Sequence, residues 1–230
     1  MSDEITSQVV SIPVGGGRHV SAELSVPTNP RAVVVFAHGS GSSRLSQRNK
    51  HIAARLNGFG LATVLVDLLA PGEDRPGAGE VWLRSDVPYL AERVITVLRW
   101  LERHSQLGRL PRGLFGSHTG AAAVLMAAAL RPEGVAAVVS RGGRPELAGE
   151  ALTDVLAPTL LIVGEHDAPI VKQNREARPR LNCPSELSIV PGASHLFEEA
   201  GALDRVAELA GVWFAWHLVG EAQVPTQPGA

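Results

Sequence analysis

Between about residues 31 and 218, short aliphatic runs alternate with longer stretches in which apolar side chains recur every three or four positions. Arg31–His38 (RAVVVFAH) is β-branched and too short for an isolated helix, and it predicts a strand buried on both faces. Leu61–Asp67, Arg112–Gly116, Val135–Ser140, Thr159–Gly164 and Glu186–Val190 predict five more. Val87–Leu101 sets Val87, Leu90, Ala91, Val94, Leu98 and Leu101 on one helical face; Leu203, Val206, Ala207, Ala210, Trp213 and Phe214 repeat the pattern nearer the C-terminus. Such alternation, with unbroken apolar strands, specifies the α/β class: a doubly wound, mostly parallel sheet covered on both faces. The first thirty residues differ. Gln8–Val14 and His19–Val26 flank Gly15-Gly16-Gly17 and predict an antiparallel hairpin at one sheet edge. One domain over residues 1–219 is expected, with residues 220–230 as a disordered tail and Ala70–Glu80 (APGEDRPGAGE) as a surface loop.

Charge narrows the range of partners. The 230 residues carry 21 Lys+Arg against 23 Asp+Glu, with no basic block, so a phosphate backbone has nothing to bind and no nucleic-acid partner is expected. Apolar stretches such as Ala121–Leu130 fall short of the ~20 residues that cross a bilayer, which argues against a membrane role. The acidic start, Met1-Ser2-Asp3-Glu4, leads into no apolar segment of a secretory signal. Cys183 is the single cysteine, so neither an intrachain disulfide nor a thiolate metal site can form, and a cytoplasmic address is expected. The expected partner is a small-molecule substrate, with no cofactor and no metal.

Parallel α/β sheets build their sites at the carboxyl ends of the strands. There the chain reads His38-Gly39-Ser40-Gly41-Ser42, then Gly116-Ser117-His118-Thr119-Gly120 before the alanine-rich helix Ala121–Leu130, then Gly164-Glu165-His166-Asp167, then Pro191-Gly192-Ala193-Ser194-His195. The order is a strand-turn-helix elbow, an acid and a histidine, with a His-Gly loop upstream.

These segments carry a resemblance. Residues 20–216 resemble the α/β-hydrolase fold, and most closely its dienelactone-hydrolase-like group without a cap. FAHGSGSSR (Phe36–Arg44), GLFGSHTGAAA (Gly113–Ala123), VSRGGRPEL (Val139–Leu147), LLIVGEHD (Leu160–Asp167) and VPGASHLFEE (Val190–Glu199) look like the bacterial branch that also occurs fused to phosphoribosyltransferase domains. The 17 residues from Ser140 to Leu156 leave no room for a large cap. By this resemblance Asp167 and His195 are the acid and the base of a triad, and the amides of Ser40 and Thr119 form an oxyanion hole. The implied activity is hydrolysis of small esters or lactones.

One position departs from the family. Its elbow reads Gly-x-Ser-x-Gly, or has Cys at the centre, whereas here His118 stands midway between Gly116 and Gly120 and Ser117 comes one place early. Four readings stand side by side. His118 is itself nucleophile or base, with activity falling below about pH 6 as the imidazole pair protonates. The site is retired for hydrolysis and kept as a pocket for a small anion. Ser117 is the nucleophile of a shifted elbow. Or His118, His195 and Asp167 form a metal set, against which stands the expectation that Asp167 lies behind His195.

The remaining candidates have structural readings beside the functional ones. Asp167 can cap the helix that follows it. Arg141 and Arg144 can hold a substrate carboxylate or merely brace their loop, and Arg44 carries the same ambiguity. His38 is expected to brace its loop by hydrogen bonding. Trp213 and Trp216 read as core and rim, and Cys183 as inert.

Overall fold

The computed structural model describes residues 4–39, 43–73 and 83–220. Its scaffold is an eight-stranded sheet in the order β1-β2-β4-β3-β5-β6-β7-β8. The strands are β1 (Ile5–Gly15), β2 (Arg18–Pro27), β3 (Ala32–Ala37), β4 (Leu61–Val66), β5 (Arg112–Ser117), β6 (Ala137–Arg141), β7 (Thr159–Gly164) and β8 (Ser185–Val190). Pairing from β4 through β8 is parallel, whereas β1–β2 and β2–β4 are antiparallel. Every residue of β3, β4 and β7 is buried, as continuous aliphatic strands require when helices cover both faces. The hairpin closes through Gly15, Gly16 and Gly17, whose φ values of 88°, 59° and 71° lie where side chains are strained, and β1 forms the sheet edge.

Among the described residues the α-helices are α1 (Gln47–Gly58), α2 (Val87–Glu102), α3 (Thr119–Leu130), α4 (Ala168–Ala177) and α5 (Ala202–Phe214). On one face Ile52, Ala53 and Leu56 of α1 and Val206, Ala207, Ala210 and Phe214 of α5 pack on Val34, Phe36, Phe115, Val139 and Ile162. On the other, α2 and α3 pack on Val33, Val35, Leu114, Val138 and Leu161. α3 is apolar all round because it is enclosed, with the sheet on one side and α2 and the 3₁₀ turns of Pro145–Asp154 around it. Those turns are what lies between β6 and β7.

Three departures from the predicted elements bear on the site. β5 runs one residue past its expected end, to Ser117, and β6 one residue past, to Arg141; the two pair in register. α3 starts at Thr119, two residues earlier than the alanine run. The chain goes from β3 to β4 on one side and then crosses to β5 on the other, so β3 and β5 diverge at a topological switch, where open α/β sheets form their crevice. Ser40 and residues 221–230 of the expected tail lie outside the described residues, as do residues 74–80 of the expected loop.

Candidate functional site

At the switch, β5 turns into α3 through one residue, His118, at φ 53° and ψ −125°. This backbone is costly for any residue with a side chain and is maintained only where its surroundings hold it. Gly116 and Gly120 make the turn possible. A Cβ on Gly116 would sit 2.5 Å from Ala121 Cα, and one on Gly120 would sit 2.4 Å from the Ala37 carbonyl oxygen. The central side chain is therefore His118, while Ser117 belongs to the strand and is only 1% exposed. A one-residue shift of the elbow toward Ser117 does not occur.

His118 Nδ1 lies 3.2 Å from His195 Nε2, and the two rings meet edge to face with centroids 4.4 Å apart. The other nitrogen of His195, Nδ1, is hydrogen-bonded to Asp167 Oδ2. Asp167 stands at the first turn of α4 without capping it by its side chain, so its carboxylate is committed to His195. With both rings neutral, these contacts set the tautomers. Asp167 accepts the Nδ1 proton, His195 Nε2 is left as an acceptor, His118 donates from Nδ1, and the lone pair of His118 is on Nε2.

The loop bearing His195 is tied to its neighbours. Glu165 Oε2 accepts from the Gly192 amide at 2.7 Å, Glu199 Oε2 accepts from the Ser194 amide at 3.0 Å, and Phe197 returns to the core at φ 57°. A second clamp holds the loop after β3. His38 Nε2 donates to Asp67 Oδ1 at 3.2 Å, the Arg44 amide donates to the same oxygen at 2.8 Å, and the Arg44 guanidinium lies 3.4 Å from Oδ2. Burial pushes the Asp67 carboxyl up, but these bonds outweigh it and hold it below its ordinary value. His38 thus braces the loop, as expected. Gly39 runs so close to the elbow that a Cβ on it would sit 2.7 Å from His118 Cβ and 2.9 Å from Thr119 N.

The His118 imidazole is driven down from 6.5 to about 4, first by burial, then by His195, Arg141 and Arg48, with Asp167 opposing. It stays neutral well below the pH 6 expected of an ordinary imidazole pair. Arg141 is 6% exposed and pairs across the sheet with Ser117, the residue before His118. Arg144 is not part of this group. Its side chain is 45% exposed and donates to Glu146 at 3.0 Å, and only its amide reaches the site, donating to the His118 carbonyl at 3.3 Å. Thr119 is buried at the start of α3, directly after His118. Among the described residues no cluster of three or more His, Cys, Asp or Glu is placed to hold a metal ion. Cys183 is half-buried with its thiol pushed up by burial, which disfavours the reactive thiolate. Trp213 packs against the core and the edge of His217, while Trp216 faces solvent.

Residues 20–216 match the model of the dienelactone hydrolase family. The chain belongs to that family. This places it among hydrolases. A crystal structure of dienelactone hydrolase from Anabaena variabilis superposes with a TM-score of 0.88 at 47% identity, over 93% of this chain and 99% of that one. Est1E from Butyrivibrio proteoclasticus shares the fold at 14% identity and a TM-score of 0.76, over 92% of this chain and 99% of that one. Two proteins of Mycobacterium tuberculosis (strains CDC 1551 / Oshkosh and H37Rv), both named putative phosphoribosyl transferase, are 50% identical over 213 residues, 93% of this chain and 46% of theirs. The chain thus spans about half the length of these relatives. No helix among the described residues is long and apolar enough to cross a membrane.

Two residues of the site escaped the sequence reading. Asp67 closes the aliphatic run LATVLVD, and its place at a strand's carboxyl end was the available signal. Arg48 lies in the first turn of α1 among other polar residues, and nothing local marks it.

Proposed function

We propose that this chain hydrolyses small carboxylic esters or lactones with His118 as nucleophile, His195 as general base and Asp167 as the group that orients His195. The observation that carries the reading is the relay from Asp167 through His195 to His118 Nδ1. As His118 Nε2 forms a bond to the acyl carbon, His195 Nε2 takes the proton from His118 Nδ1, and the His195 cation is held by Asp167. The carbonyl oxygen gains negative charge facing the Thr119 amide at the start of α3, with Ser40 as the second donor by family pattern. His195 then gives its proton to the departing alkoxide, leaving a neutral acyl-imidazole. Water attacks this intermediate, losing a proton to His195 as the acyl–nitrogen bond breaks, and His195 returns that proton to His118 Nδ1. One ester and one water become one acid and one alcohol, and the enzyme is restored.

A neutral His118 supports this reading, because a protonated imidazole has no lone pair at Nε2. The buried hydroxyl of Ser117 argues against a serine route. The reading concerns the half of the mycobacterial relatives that this chain matches. The test is intact-mass spectrometry after rapid mixing with p-nitrophenyl acetate. The wild type should gain one acetyl group, mapped to His118; Ser117→Ala should gain it equally, and His118→Ala should not. An acetyl group or a phosphonate label on Ser117 would refute the mechanism. The competing reading is a non-catalytic pocket for a small anion, and it predicts no acylation in any of these proteins.

A further inference from the structure

Arg141 is a charged side chain in a place where charge is expensive. It is 6% exposed, and its Nη1 has no hydrogen-bond partner among the described residues. On β6 it follows the alternation of Ala137 and Val139, which face the core under α1 and α5, so its side chain enters that same layer. α1 brings Arg48 there. Arg48 Nε is likewise buried without a hydrogen bond, although the side chain as a whole is 38% exposed and its Nη1 donates to the exposed Glu198 at 3.4 Å. Burial, then the Arg48 charge, push the Arg141 guanidinium down to about 10. Both cations also act on His118. The carboxylate of Asp167 is taken by His195, the partner of His118. A desolvated guanidinium beside a second one destabilises the fold unless an anion joins them.

We propose that Arg141 and Arg48 form a subsite for a phosphate group carried by the substrate, next to His118. This deepens the acyl-hydrolase reading and rests on it for the word substrate. A phosphate bears about −1.5 to −2 charges near neutrality and has more oxygens than a carboxylate, so it can balance Arg141 and also reach Arg48, whose existing partner Glu198 is a solvent-exposed one. The N-terminus of α3, which starts beside His118, adds its own field to the same region.

Isothermal titration calorimetry with inorganic phosphate, and separately with acetate, tests the subsite in the wild type, Arg141→Met and Arg131→Ala. Arg131 is a remote arginine paired with Glu102 at 2.8 Å. Wild type and Arg131→Ala should bind phosphate alike and more tightly than acetate, and Arg141→Met should lose about 10- to 100-fold in affinity. Because it removes an unmatched buried charge, Arg141→Met should also melt at a higher temperature than the ligand-free wild type. Should that variant fail to fold, Arg48→Met on the outer helix should show the same loss of phosphate binding. The proposal is overturned if phosphate does not bind the wild type, if acetate binds as tightly, or if phosphate affinity survives both substitutions. Acetylation of wild-type His118 is read separately. Phosphate binding without acetylation keeps the subsite and removes the hydrolase reading, and acetylation without phosphate binding does the reverse.

Discussion

Replacing His118 by serine should flatten the dependence of stability on pH between about 6.5 and 4. In the unfolded chain the His118 imidazole takes up a proton near 6.5, whereas in the native state it does so only at about 4. Burial, the His195 ring and the Arg141 and Arg48 guanidiniums all oppose the cation, and only the Asp167 carboxylate favours it. Between these two values the unfolded state binds more protons than the native state, so stability falls as the pH drops through 6.5, and the loss is complete near 4. A fully sheltered group displaced this far would account for about 3.4 kcal/mol. His118 is partly exposed, and solvent screening reduces the expected figure to about 1–2 kcal/mol. Serine keeps a side chain at the same strained φ of 53°, so the backbone cost is common to both proteins. Urea unfolding at pH 7 and at pH 4.5 supplies the comparison: the wild type should lose about 1–2 kcal/mol more than His118→Ser. An NMR titration of the His118 ring, with a midpoint near 4, is the direct check. Equal losses in the two proteins, or a midpoint at 6.5, would refute both the sheltered imidazole and the neutral nucleophile built on it.

Two further outcomes follow from the loops around the elbow. Gly39→Ala should lower the rate of acetylation by about 100-fold while leaving the fold intact, because the new methyl must push the loop away from His118 and the Thr119 amide; stopped-flow release of p-nitrophenolate measures it, and an unchanged rate would remove the loop from catalysis. Asp67→Ala should cost about 1–3 kcal/mol at pH 7, since His38 and the Arg44 amide lose their acceptor. The carboxyl is held below its ordinary value of 3.8, so its contribution is present above that value, and the gap between variant and wild type should narrow as the pH falls below it in urea titrations.

Much of this was legible in the order of the residues. Alternation of aliphatic runs with amphipathic stretches is enough to specify a parallel sheet between two helical layers, because backbone hydrogen bonding and burial leave few other solutions. The glycines at 116 and 120 already singled out His118, since only residues without a Cβ tolerate the approach of Ala121 and Ala37. Which way the neighbouring side chains face was not legible. Ser117 and His118 are adjacent and polar, yet strand pairing with Arg141 draws the first into the sheet while the turn expels the second. Arg141 and Arg144 read alike along the chain, but the last residue of β6 is carried into the core, while three residues on the backbone has left the sheet and the side chain meets Glu146 in solvent. The pairing of Asp67 with His38 and Arg44, and of Arg48 with Glu198, joins residues far apart in sequence. Local chemistry therefore determined the fold and the elbow, and only tertiary packing decided which charges are paired, because pairing depends on distances that the chain order does not encode.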